Sequence, residues 1–243
     1  MVQLPTTTSP NTYARLGGIA YLFIIIAGFL GEMFVRNSII VSGDAAATAD
    51  NLAASPTLWR LGIAGDLLMH VCDIIVLLAY IVLFWPVNRK LIILDVMLNL
   101  VQTAVLVANK LNLIIPLILL GKKDYLATFN PQQLQSLSYI FINAHSYGFG
   151  IGLIFFGCAS LIVGYLIRKS VFLPAILGIG MQIAGACYLI NSFALILAPT
   201  FANSLFPAIL LPPFIAELSL SLWLIIKGVD VPVWLEKART SSI

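Results

Sequence analysis

Charge is what this chain of 243 residues has least of: only 9% of it is Asp, Glu, Lys or Arg, where a soluble globular domain carries about 25%. Hydrophobic residues fill the gap at 60%, and a mean hydropathy of +1.03 cannot come from one or two anchors. Most of the chain must sit in lipid, which excludes soluble enzymes, nucleic-acid binders and disordered regulators. Cysteine is also sparse. Cys72, Cys158 and Cys187 lie far apart inside apolar stretches, so neither a disulfide framework nor a zinc-ligand spacing exists, and they read as small buried hydrophobes. Linkers, low-complexity segments and cofactor motifs are missing as well, so the expectation is one transmembrane domain over residues 1–243 with no cofactor. The net charge of +3 is too small to argue for an anionic partner and serves only to set orientation.

Six apolar runs are long enough to cross a bilayer as helices, at about 14–36, 59–86, 91–120, 137–167, 171–199 and 207–228. The expected fold is therefore all-α, a polytopic bundle of six transmembrane helices. An even number of spans puts both termini on one side. The first run has no basic segment before it and leads into further membrane sequence, so it reads as a transmembrane helix and not a cleaved leader. With the termini inside, the inner side carries Arg15, Arg89, Lys90, Arg168, Lys169, Lys227, Lys237 and Arg239, and the outer side Arg36, Arg60, Lys122 and Lys123. Eight basic residues against four orient both termini to the cytoplasm. Trp59, Trp85 and Trp234 are placed as interface anchors.

Two outer loops carry structure of their own. Asp44 is set to cap a short Ala-rich helix that runs to about Ser55, stops before Pro56 and lies along the membrane surface. In Phe129-Asn130-Pro131-Gln132-Gln133-Leu134, Asn130 reads as N-cap, Pro131 as the first helical residue and Gln133 as its capping-box partner, with Phe129 and Leu134 as a staple. The connections at Asn88–Lys90 and Arg168–Ser170 are short, which makes spans 2 and 3, and spans 4 and 5, antiparallel neighbours.

The informative residues are the ionisable ones inside the spans: Glu32, Asp66, His70, Asp73, Asp95, Lys110, His145 and Glu217. Each costs a few kcal/mol at the bilayer centre and should face the bundle interior or a wet cavity. Counted from each span's midpoint, His70, Asp73 and Glu217 fall within roughly 5 Å of the centre, and Asp66, Lys110, His145 and Asn191 roughly 7–10 Å toward the outer face. Asp66, His70 and Asp73 share one face of the second span within about 40°. Asp95, Asn99, Gln102, Asn109 and Lys110 form a stripe about 100° wide on the third. The two stripes can meet, which predicts an Asp66–Lys110 ion pair. Glu32 reaches Arg36 one turn on, and Asp95 lies near Arg89 and Lys90. Asp73 and Glu217 lack an evident partner, so they hold a proton, meet a cation or protonated His70, or hydrogen-bond as neutral acids.

On the fourth span Asn143, His145 and Ser146 precede a seam of small residues, Gly148, Gly152, Ser160 and Gly164, that lets another helix or a second copy of the chain approach. The run Gly148-Phe149-Gly150-Ile151-Gly152 follows no strand and lies in lipid, so it is not a nucleotide loop. On the sixth span Pro212-Pro213 predicts a kink that frees carbonyls beside Glu217, as in the ion sites of broken transporter helices.

Taken together, Arg15-Leu16-Gly17, Gly43-Asp44-Ala45-Ala46-Ala47-Thr48, Arg60-Leu61-Gly62 with Asp66-Leu67-Leu68, Pro86-Val87-Asn88, Asn109 with Asn112, His145 with Gly148, Phe155-Phe156-Gly157, Gly164-Tyr165-Leu166, Leu189-Ile190-Asn191-Ser192 and Glu217-Leu218-Ser219 resemble the bacterial membrane proteins grouped as domain-of-unknown-function family 4386. The resemblance spans residues 13–229 and implies a multi-pass protein of a bacterial cytoplasmic (inner) membrane. It carries no established activity, so no catalytic role is transferred.

Three readings of the function follow from the residues. The first is a small transporter or ligand-binding protein whose outward-facing polar pocket, lined by Asp66, Lys110, His145, Asn191 and Glu217, takes a small molecule, proton or cation, with Glu217 as the protonatable carboxylate. His70 and Asp73 complete the set of binding candidates. The second is a non-catalytic sensor or assembly subunit in which these groups only join helices. The third is an intramembrane metal-dependent lipid hydrolase, with Asp66, His70, His145 and Glu217 around a zinc-activated water, although no H-E-x-x-H spacing occurs.

Overall fold

The computed structural model describes residues 9–121 and 123–240. Within them no strand occurs, and six helices are long and apolar enough to span a membrane. They are α1 (Pro10–Ile39), α3 (Pro56–Phe84), α4 (Arg89–Leu119), α5 (Pro131–Ser170), α6 (Ala175–Leu197) and α8, whose regular part is Leu211–Ile226. Short helices α2 (Ala45–Ala54), α7 (Pro199–Leu205) and α9 (Val231–Thr240) fill connections and the C-terminal end. Neighbours run α3, α1, α8, α6, α5, α4 and back to α3, so the six long helices close into a ring.

Glycine sets the closest crossing. A Cβ added to Gly164 would stand 2.6 Å from the Gly178 carbonyl oxygen, and one on Gly185 would stand 2.6 Å from that of Gly157. Backbone therefore touches backbone where α5 crosses α6. The seam expected to receive another helix is filled from within the chain, because α4 lies on it with Asn109 against Gly148 and Leu106 against Gly152. That leaves no free face there for a second copy.

Local rules set both expected loop structures. Asp44 accepts from the Ala47 N–H at 2.9 Å and starts α2, whose Thr48, Ala49 and Leu52 are buried. The helix packs on α5. Asn130 and Gln133 form the reciprocal capping box of α5 at 2.8 and 2.9 Å.

Several expectations are corrected. Span 1 is not a uniform α-helix, since Gly31–Arg36 is a π-helical turn. Span 3 breaks at Lys110, where the amide returns to Val107 O instead of the carbonyl four residues back; Pro116, lacking an N–H, follows in the next segment. Pro212 and Pro213 do not kink a helix. They lie in the first turn of α8, where N–H groups are unpaired in any case. Trp59 and Trp234 are not interface anchors: they are 1% and 9% exposed, and their indole N–H groups donate to Leu113 O at 2.8 Å and Leu83 O at 3.0 Å. Lys122, counted among the outer charges, lies outside the described residues.

The α5–α6 crossing gives a direct test. Gly164→Leu should destabilise the bundle by about 1–3 kcal/mol through overpacking, read as a lower midpoint of unfolding in a denaturing detergent titration. The same change at Gly65, which has open space around it, should do far less.

Candidate functional site

The polar stripes of α3 and α4 do face each other, and the expected ion pair is present. Lys110 Nζ lies 2.8 Å from Asp66 Oδ2. The stripes touch again deeper in, where Thr103 Oγ1 donates to Asp73 Oδ2 at 3.2 Å. Asp66 and Lys110 side chains are 1% and 5% exposed.

A second cation was not foreseen here. Arg36 NH1 reaches the same Asp66 Oδ2 at 2.9 Å while its Nε donates to Glu32 at 2.6 Å. Sequence spacing paired Arg36 with Glu32 and placed it at the outer face. The π-turn instead swings it inward, and Gly31 leaves the room: a Cβ there would stand 3.3 Å from both Arg36 NH2 and Asp66 Oδ1. Glu32, expected to face the interior, is half-exposed and meets the centre only through Arg36.

His145 completes the centre from α5. Its Nε2 stands 3.5 Å from Lys110 Nζ, and its carbonyl accepts from Asn109 Nδ2 at 2.9 Å. Asn109 Oδ1 in turn accepts from Asn112 at 2.8 Å. The break in α4 at Lys110 thus sits in a side-chain network that pins it to α5.

Glu217 belongs to a separate group. Its Oε1 accepts from the Tyr188 hydroxyl at 2.6 Å, and Tyr21 stands close to the same carboxylate. Asp73, expected to lack a partner, holds Thr103 and His70, whose Nδ1 is 3.0 Å away. Asn191 is half-buried and joins neither group by a hydrogen bond among the described residues. Asp95 makes no ion pair with Arg89 or Lys90; it is fully buried and neither carboxylate oxygen has a partner. The expected pocket is therefore divided: Asp66, Lys110 and His145 meet, whereas Glu217 and Asn191 stand elsewhere.

These positions do not suit a metal. No three His, Cys, Asp or Glu side chains gather as ligands among the described residues. Asp66 Oδ2 already holds two cations, His145 faces a third-party ammonium, and His70 and Glu217 each face different partners. A divalent ion beside Arg36 and Lys110 would meet charge repulsion.

A family model described as Domain of unknown function (DUF4386) matches residues 16–228. The chain belongs to that family. No curated protein and no solved structure matches it. For this DUF4386 protein the matched span takes in all six long helices, and with them Arg36, Asp66, Lys110, His145 and Glu217.

The ion centre is testable on its own. Asp66→Asn leaves two buried cations facing a neutral amide and should cost about 3 kcal/mol or more. Lys110→Met should cost less, because Arg36 still meets Asp66. If detergent unfolding ranks the two variants in the opposite order, Asp66 is not the shared counter-ion.

Proposed function

We propose that the protein is a membrane binding or transport protein for a small anionic molecule, held by Arg36 and Lys110 in the half of the bundle that bears α2. The observation that carries this reading is that two cations converge on one oxygen of one buried carboxylate. Asp66 then acts as a built-in anion that holds Arg36 and Lys110 in place when no ligand is present. A ligand carboxylate or phosphate would compete for the same donors, with Arg36 offering the planar fork and Lys110 the point charge. His145 can accept from the ammonium as a neutral imidazole when the ligand shifts it.

A narrow crevice lined by Val35, Arg36, Trp59, Gly62, Ile63 and Leu113 adjoins this centre, and as it stands it has no room for a water-sized guest. The centre is closed in this structure, so binding requires Arg36 to move. Its π-turn and its half-exposed partner Glu32 make it the mobile member of the set. With basic residues concentrated at the end bearing the termini, this reading puts the centre toward the outside of the cell membrane.

The sensor or assembly reading draws on a different place, an open groove of about 500 Å³ between Phe129 and Ile140 at the start of α5. It lies away from the charged centre and lacks a charged side chain of its own.

Native mass spectrometry of protein extracted gently from its own membrane tests the anion reading. The wild type should carry a small acidic adduct that is lost in Arg36→Gln and Lys110→Gln and kept in Glu217→Gln. A wild type without such an adduct, or one retained in both cation variants, would count against the proposal.

A further inference from the structure

Below the charged centre, four buried polar atoms have no hydrogen-bond partner among the described residues: His70 Nε2, the Tyr80 hydroxyl and both oxygens of Asp95. The remaining unpartnered atoms are three serine hydroxyls, at Ser138, Ser160 and Ser192. Buried polar atoms in native proteins nearly always have partners, and where the protein supplies none, ordered water does. These three residues are not scattered. Asp66, His70, Asp73 and Tyr80 lie within about 80° on α3 and cover about 21 Å of depth. That is most of a hydrocarbon core of about 30 Å.

Each neighbour in the series acts on the next. His70 pairs with Asp73 at 3.0 Å. Asp73 lies within electrostatic reach of Glu217, Glu217 of Tyr80, and Tyr80 of Asp95. Tyr188 of α6 donates to Glu217, and Tyr21 of α1 stands close to it. At the level of Asp95, α3 presents Tyr80. By the register that sets Leu106 on Gly152, the titratable side chains of α5 nearest this level are Cys158, Tyr165 and Arg168, and Arg168 donates to Gln182. Arg89 and Lys90 stand on the helix of Asp95 itself, at its first turn, and neither bonds to the carboxylate.

We propose that this seam is a hydrated proton path, with Asp95 as its last carrier on the side of the chain termini. A proton arriving from that side joins the Asp95 carboxylate. The resulting acid passes it through water to the Tyr80 oxygen, which releases its own proton toward Glu217. Glu217 hands one to Asp73, Asp73 passes one to His70 Nδ1, and His70 releases the proton on Nε2 toward the half of the bundle that bears α2. One proton leaves for each that enters, and no electrons move. Asp95 differs from a structural acid in having no donor to satisfy, and from an ion-paired one in having no cation.

The path needs nothing from the anion centre, so it is measured without any added solute. Purified full-length protein is placed in liposomes holding a pH-sensitive dye in sulfonate buffer, and a pH step is applied with potassium and valinomycin. Wild type should discharge the step faster than empty liposomes. Asp95→Asn should fall to the rate of empty liposomes, Tyr80→Phe should slow discharge about tenfold or more, and Asp95→Glu should retain it. Wild type no faster than empty liposomes, or Asp95→Asn discharging at the wild-type rate, overturns the path. Loss of anion adducts in the Arg36 and Lys110 variants would be unaffected by either result.

Discussion

One buried carboxylate governs the half of this bundle that bears α2. Asp66 is nearly inaccessible, yet it holds a lysine from α4 and an arginine from α1 on a single oxygen. A charge taken out of water is tolerable only if paired and hydrogen-bonded, so none of the three side chains can be placed independently of the others. Around them the backbone departs from regularity. The π-turn at Gly31–Arg36 and the break at Lys110 each occur where a cation must reach the acid. Asn109 and Asn112 tie the second irregularity to α5.

The fold was largely legible because lipid enforces simple rules. Backbone groups must be satisfied within each helix, so long apolar runs could become only helices, and their ends fell within a few residues of the runs read from the sequence. Side-chain caps were legible for the same reason: Asp44 and Asn130 act on backbone a few residues away. The Asp66–Lys110 contact was legible since a short connection forces α3 and α4 together, and two polar stripes in an apolar circumference leave one sensible arrangement.

What was not legible depended on contacts distant in sequence or on backbone departures with no sequence signature. Arg36 read as an outer-face charge paired with Glu32 alone, because nothing local announces a π-turn. Tyr188 donates to Glu217 from another helix and Tyr21 stands close to the same carboxylate, which spacing within single helices cannot reveal. Trp59 and Trp234 were misplaced by a rule about composition at membrane interfaces, when each indole finds a carbonyl inside the protein. The proline pair before Glu217 is ambiguous by nature: the same residues break a helix interior and begin a helix well. Which applies depends on where the helix starts.

Set side by side, the two polar regions differ in kind, and the difference bears on what each can do. In the centre around Asp66 every charged group is paired, so the anionic guest proposed above would have to displace an existing partner. In the deeper seam the unpaired atoms are one imidazole nitrogen, one phenol and one carboxyl, all able to gain and lose a proton and none fixed by an opposite charge. Arg36 and Lys110 make the first region positive, and Asp73, Glu217 and Asp95 line the second with acids. The anion site and the proton path proposed above therefore draw on different groups within one ring of six helices.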